Sequence, residues 1–425
     1  RYAISQPVTQ VEAPRLVSGK GKFTDDITLP RQTFGVFLRS PYAHAEIVSI
    51  DTSTAAAMPG VVAILTGEDY ADSLGPILGI SPAKRRDGSP MYRPPRPALT
   101  RDRVRHVGQA VALVIAETIH QAKDAVEAIE VDFDLLPAVL STADANAPES
   151  HRIWEECENN EGVFAECGDA AAVDKAIAEA HHVVRDRFVV NRVAACAMEP
   201  RAVVASYDEG TEHFTVHACL QRPYIWRTIM TKHIFDIAEQ DMTIIANDVG
   251  GSYGMKGGLY PEVPLVAWAA RKVGRPVKWT CERSEALICD DQARDMVVDA
   301  ELALDENGKF TGIRIKSNNN VGAYITMIGF ISTVGITKTP CGTYATPAGH
   351  AQAAAVFTNT VPVSNYRAPG GAPGTYVLER IIDMAARDMG IDPAEIRRRN
   401  LIPPEAMPYK LPIGGGYDCG EFEKV

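Results

Sequence analysis

Between Val249 and Gly258 the chain reads Val249-Gly250-Gly251-Ser252-Tyr253-Gly254-Met255-Lys256-Gly257-Gly258, five glycines in ten residues, directly after the strand-like run Met242 to Ala246. Glycine has no Cβ, tolerates positive φ and lets backbone approach a ligand closely, so amides bared at a strand end suit an anion or an oxo group. Three nucleotide or catalytic readings compete. The dinucleotide fingerprint fails because Gly251 to Gly254 contains no G-x-G, and the phosphate loop fails because Lys256 is not followed by Ser or Thr. The third pattern matches: Gly250 to Gly254 fits G-x-S-x-G, the serine nucleophile elbow, and acids such as Asp290 and then His350 follow in the Ser, Asp, His order. That elbow needs a helix starting at the serine, however, and Gly254, Gly257, Gly258 and Pro261 would fall in its first turns, each glycine costing up to about 1 kcal/mol. No HGGG-type oxyanion motif lies upstream. A turn that merely lets two elements pack is the remaining alternative.

Metal ligation by the protein is weakly supported. The one H-x-x-x-H pair, His213 and His217, falls on a strand-like run, where positions four apart lie roughly 13 Å from each other. His181 and His182 are adjacent and would face opposite sides of a strand. The eight cysteines are scattered, with no C-x-x-C pair and no iron–sulfur spacing, which favours a reducing cytoplasm and thiols that mostly fill core. A net charge of −11 argues against a surface built for nucleic acid. The triplets Lys84 to Arg86 and Arg397 to Arg399 read as solvated faces or local anion contacts. No run reaches the ~18 apolar residues of a membrane span, and Arg1 to Pro7 lacks a signal-peptide pattern.

The elements that must position these residues are mixed α and β. With 425 residues and 46% hydrophobic content the chain can bury a large core in two to four domains. Strand-like runs at Thr33 to Arg39, Val61 to Leu65 and Ala110 to Ile115 precede a helical run at 119–129, and a Pro/Arg-rich loop, Ser81 to Arg96, interrupts them. This suggests one α/β domain within residues 1–145, followed by a polar linker over 146–165. Over 166–425 the pattern predicts a helix at 170–180, strands at 183–190, 203–207 and 214–220, helices at 224–235 and 262–273, and a strand at 277–281. Asn307-Gly308 predicts a hairpin between 300–304 and 310–318. A helix at 375–389 stops at Gly390 and restarts at Asp392-Pro393-Ala394-Glu395, an N-cap, N1 and N3 signature.

Several segments, taken in order, carry a family resemblance: Glu12 to Asp26, Arg39 to Ala45, Val107 to Val114, Met198-Glu199-Pro200-Arg201, Gln221-Arg222-Pro223-Tyr224, the glycine turn, Asn365 to Gly371 and Glu395 to Leu401. Together they resemble the molybdenum-binding large subunit of the xanthine dehydrogenase/aldehyde oxidase family, in the carbon monoxide dehydrogenase-like branch. The resemblance spans nearly all of the chain. It implies an N-terminal α/β-hammerhead-like domain followed by the first half of a molybdopterin-binding domain. It also implies molybdopterin, as the cytosine dinucleotide, whose dithiolene holds the metal so that the protein needs no direct ligand.

By the same resemblance, Gln221 matches a residue whose uncharged amide donates to the apical oxygen of the molybdenum. Gly251, Ser252, Tyr253 and Gly254 match the turn whose amides reach another oxygen or the pterin, and Arg367 and Ala368 match the loop whose backbone sits by the cofactor. The alternatives are a strand-end polar residue for Gln221, a core aromatic for Tyr253 and a salt-bridge partner for Arg367. The implied reaction is hydroxylation of an electron-poor carbon with water-derived oxygen, a glutamate taking the proton. Electrons would leave through a small subunit with two [2Fe–2S] clusters and a medium subunit with FAD.

Four departures limit the carry-over. The family's catalytic glutamate has no counterpart in this sequence, so the C-terminal half of the subunit or a second molybdenum-binding chain is expected to complete the site. Gly257 stands where xanthine-oxidising members carry a substrate-binding glutamate, and Pro369 replaces an aromatic that sandwiches flat heterocycles. Ala368 stands where the CO oxidiser has its copper-binding cysteine. An aldehyde or an N-heteroaromatic is the expected small-molecule substrate, with a serine hydrolase at Ser252 and a non-catalytic assembly subunit as the competing readings.

Overall fold

The computed structural model describes residues 6–70 and 82–424; Arg1 to Ser5, residues 71–81 (including Ser81, the start of the Pro/Arg-rich loop) and Val425 lie outside it. Up to Phe357 its strands, in chain order, are β1 (Thr33–Arg39), β2 (Ala45–Asp51), β3 (Val61–Thr66), β4 (Arg103–Val104), β5 (Ala110–Ala116), β6 (Glu130–Leu135), β7 (Glu161–Gly168), β8 (His182–Val193), β9 (Ala202–Asp208), β10 (His213–Ala218), β11 (Met242–Ile245), β12 (Val277–Thr280), β13 (Ala293–Leu304), β14 (Phe310–Gly322) and β15 (Ala348–Phe357). They form a seven-stranded sheet ordered β11-β10-β9-β12-β1-β5-β3, a five-stranded sheet ordered β7-β15-β14-β13-β8 and a small sheet β4-β2-β6.

The seven-stranded sheet crosses the segment expected as a linker. Strand β1 pairs parallel with β12, Thr33 opposite Val277 and Phe34 opposite Lys278, so β1, β3 and β5 continue the sheet formed by β9 to β12. Within 146–165 the chain has no long regular element before β7 begins at Glu161, yet Ile153 and Cys157 are buried and Asn160 donates to the carbonyls of Ala145 and His151. Polar composition there serves internal hydrogen bonding, as buried irregular backbone requires.

The helix Glu262–Val273 lies against β9 and is buried along residues 262–270, which explains its near-continuous apolar run. It ends at Gly274 in the left-handed conformation (φ 64°). In the five-stranded sheet, β13 and β14 form the hairpin around Asn307-Gly308, and the helix Gly371–Met389 covers β8 and β13. Val377, Leu378, Ile381, Ile382 and Ala385 supply its buried stripe at helical spacing. The helix Pro393–Asn400 is capped by Asp392, whose Oδ1 accepts from Ala394 and Glu395 amides at 2.9 and 3.0 Å. Among the described residues no helix is long and apolar enough to cross a membrane.

Candidate functional site

Strand β11 leaves the seven-stranded sheet into residues 246–258, whose only regular piece is the short turn Met255–Gly257. Gly251 (φ 99°), Tyr253 (φ 56°) and Gly254 (φ 103°) all take positive φ. At Gly254 a Cβ would stand 2.9 Å from the carbonyl oxygen of Asn365, and at Gly250 one would stand 2.5 Å from Cβ of Glu199. The glycines are needed there because other chain segments pack directly onto the turn.

Two such segments flank it. Gln221 follows β10 and precedes the helix Pro223–Ile229; its amide N donates to the Lys256 carbonyl at 3.1 Å. Its side chain is exposed and has no hydrogen-bond partner among the described residues, while a Cβ on Gly257 would lie 3.2 Å from its Oε1. On the other side, the Arg367 amide donates to the Tyr253 carbonyl at 2.8 Å, and Ala368 takes a positive φ of 57°. The carbonyls of Arg367 and Ala368 accept from the Arg294 guanidinium at 2.8 and 3.2 Å, and the Ala368 carbonyl also accepts from Ala372 at the start of the helix Gly371–Met389. Pro369 is half-buried, its carbonyl against Gly335. Residues 221, 250–258 and 365–369 therefore meet in one place.

The turn is tied down by an internal ion pair. Lys256 is wholly buried; its Nζ donates to the Glu199 carbonyl at 2.8 Å and to Glu199 Oε2 at 3.1 Å. Glu199 Oε2 also accepts from the Gly250 amide at 2.8 Å, and its Oε1 from the Thr24 amide at 3.3 Å. Ser252 Oγ accepts from the Lys256 amide at 3.0 Å. The two carboxylates beside the turn are thus engaged, Glu199 with Lys256 and Asp248 with Arg15. Hydrogen bonding from Arg15 and from the Lys22 amide holds Asp248 at a pKa of about 2.

Among the described residues no hydrolase triad forms. His350 bonds Glu166 at 2.8 Å in the five-stranded sheet, Asp290 bonds Arg201 at 2.5 Å, and no imidazole reaches Ser252 among the described residues. Positive φ falls on Tyr253 rather than on the serine, and a glycine-bearing turn rather than a helix follows. Among the described residues one group of metal-ligating type, Cys281, Cys289 and Asp290, has its ligand atoms within 4.8 Å of one another. Arg201 already sits in it, donating to Asp290 and, at 3.1 Å, to Cys289 Sγ, so a guanidinium neutralises the place a cation would take. The triplets at 84–86 and 397–399 include paired cations: Arg86 with Glu161, Arg397 with Glu379, and Arg398 and Arg399 with Glu395.

The three meeting segments suit a polar, anionic group. They offer the free amide of Gln221, backbone held open by obligatory glycines and the exposed Arg367, while the buried Asn365 Oδ1, an acceptor without a partner, is open to a donor instead. A groove of about 770 Å³ between β1, β12 and the helix Ile119–Glu127 is lined by none of them. Glu199, Lys256, Asn365 and Arg294 were not singled out from sequence as site residues. The available signal was an unexplained lysine inside a glycine turn, since Lys is almost never fully buried unless paired.

The molybdopterin cofactor-binding domain family matches residues 154–401, and the aldehyde oxidase and xanthine dehydrogenase a/b hammerhead domain matches residues 18–137. The chain is 34% identical to subunit gamma of the 6-hydroxypseudooxynicotine dehydrogenase complex of Paenarthrobacter nicotinovorans, over 96% of this chain and 50% of the relative. It is 32% identical to the carbon monoxide dehydrogenase large chain of Hydrogenophaga pseudoflava, over 97% of this chain and 52% of the relative. The solved quinoline 2-oxidoreductase of Pseudomonas putida 86 superposes with a TM-score of 0.88 at 32% identity, covering 95% of this chain and 50% of that one. The chain spans about half the length of these relatives. A hammerhead sheet leading into a molybdopterin-binding segment, matched along nearly its whole length, makes this chain a member of the molybdenum-binding large subunits of the xanthine dehydrogenase/aldehyde oxidase family.

Proposed function

We propose that this chain forms one wall of a molybdenum-pterin site in an oxidoreductase that hydroxylates an aldehyde or an N-heteroaromatic compound. The observation that carries this reading is the meeting of Gln221, the glycine turn and the 365–369 loop, with a free amide donor on one side and constrained backbone on the other. When bound, the cofactor, as the cytosine dinucleotide, would supply the two-electron redox chemistry.

The chain's own share is to bind and orient. Gln221 donates a neutral hydrogen bond that stabilises charge developing on oxygen without adding a fixed positive charge. The amides of Gly251 to Gly254, with Ser252 buried beneath them, and the backbone at Arg367 and Ala368 hold the pterin side. Gly257 and Pro369 shape the substrate space: neither offers a carboxylate or a flat ring, and Ala368 offers no thiol. Because Glu199 and Asp248 are engaged, the proton acceptor comes from another polypeptide segment, the C-terminal half of the subunit or a second molybdenum-binding chain. An iron–sulfur small subunit and an FAD medium subunit take the electrons, in the cytoplasm.

Metal analysis of the purified complex tests this. The expected result is close to one molybdenum per chain, with oxygen from labelled water appearing in the product of an aldehyde or a quinoline-type heterocycle. Absence of molybdenum together with fluorophosphonate labelling of Ser252 would restore the hydrolase; absence of both points to an assembly subunit that has lost the cofactor.

A further inference from the structure

The Lys256–Glu199 ion pair links the Gln221 segment, the front of the turn and the N-terminal segment. Through its carbonyl Lys256 holds the Gln221 amide, through its amide it is held by Ser252 Oγ, and through Nζ it binds Glu199. Glu199 in turn holds the Gly250 amide at the front of the turn and the Thr24 amide of the N-terminal segment. A fully buried ammonium is tolerated only when paired and hydrogen-bonded, so this lysine is expensive to place anywhere that does not need it. The lysine is 57 positions from its partner in sequence, and Gly250, whose Cβ would strike Glu199, is the residue that lets the carboxylate come so close.

We propose that Lys256 and Glu199 are positioning residues that fix the spacing between the Gln221 amide and the backbone of residues 250–254, and thereby the geometry offered to the cofactor. The second half of this statement rests on the molybdenum reading above; the first half does not. Both side chains are buried, Lys256 wholly and Glu199 nearly so. They act through the backbone they hold, so their loss should loosen the turn without removing any group the cofactor contacts.

The test uses the assembled enzyme with Lys256→Met, which keeps the stem and removes the charge, and Glu199→Gln, which keeps the shape. Hydrogen exchange is read on peptides covering Gly250 to Lys256 and Gln221, together with molybdenum content and the Mo(V) electron paramagnetic resonance spectrum of the reduced protein. Each variant should raise exchange in both peptides about tenfold, as local opening becomes easier, and should shift or broaden the Mo(V) signal. The double variant should be no worse than the poorer single, because members of one pair are non-additive. Wild-type exchange in either variant overturns the clamp whatever the metal content. If Lys256→Met does not accumulate, Glu199→Gln alone decides by the same criterion. Raised exchange with an unchanged Mo(V) spectrum overturns the link to cofactor geometry. Molybdenum absent from the wild-type enzyme would sink the molybdenum reading instead, and the exchange measurement would still judge the clamp.

Discussion

Gln221 separates folding from function more cleanly than any other residue at the site, because only its backbone is used internally and its side chain is exposed and unpartnered. Gln221→Ala is expected to leave the thermal midpoint within about 1 °C, since surface substitutions away from special features cost within ~0.5 kcal/mol. Its kcat should fall on the order of 10²-fold, the usual loss when one donor to a developing oxyanion is removed. Steady-state kinetics beside a melting curve reads both, and unchanged kcat would remove Gln221 from the reaction. Ser252 behaves oppositely. Its hydroxyl accepts from the Lys256 amide, so Ser252→Ala should cost about 1 kcal/mol in a denaturant melt. Substrate oxidation should nevertheless survive, whereas a serine nucleophile would lose all turnover. The sequence singled out Gln221, the turn and Arg367, and the structure brings them together. It gave no sign of Glu199 and Lys256 as partners or of the lone Asn365 Oδ1, because those facts exist only once distant segments meet.

Elements were legible where local chemistry dominates and obscure where tertiary pairing does. The helix Pro393–Asn400 announced itself by Asp392, Pro393 and Glu395, and its cap bonds form as the spacing predicts. Asp392→Ala should therefore destabilise the protein by about 1 kcal/mol in denaturant melts, with kcat and molybdenum content unmoved. A larger loss, or one that reaches activity, would mean this helix does more than close the C-terminal end of its sheet. Strand β15 is the contrary case. Its run Ala348 to Phe357 contains five alanines, a weak strand signal, yet it sits inside the five-stranded sheet between β14 and β7, where small side chains allow close packing on both neighbours. Strand β7 was hidden likewise, because its first residues look like the polar segment before them and only the pairing with β15 makes them a strand.

A buried charge network that no local reading could assemble joins distant segments of the chain beside the seven-stranded sheet. Arg39 at the end of β1 binds Glu262 at 3.0 Å and Glu285 at 2.7 Å; Arg201 binds Glu262 at 2.7 Å and Asp290; Arg96 meets Asp291 at 3.3 Å. It thereby joins the N-terminal strands to the helices Glu262–Val273 and Arg283–Cys289. Two of its buried acids, Glu262 and Asp291, titrate in opposite senses. Burial raises the pKa of Glu262, but Arg201 and Arg39 outweigh it and hold the group far below its ordinary 4.5. A depressed carboxyl contributes stability that is present above the unfolded value and lost only as pH falls through the folded one. Burial pushes Asp291 up to about 6 from an ordinary 3.8, with Arg96 and Arg201 offsetting it only in part. A raised carboxyl contributes stability that is complete below 3.8 and lost as pH climbs through about 6. Glu262→Gln should accordingly cost ~3–5 kcal/mol at pH 7, because two guanidinium groups lose their shared anion. Asp291→Asn removes a group whose ionisation in the folded state is unfavourable, so its midpoint relative to wild type should climb from pH 4 to about pH 6 and level off towards pH 7. Melting curves of both variants across that range decide the matter: a flat Asp291→Asn difference would show that Arg96 already holds Asp291 ionised throughout it.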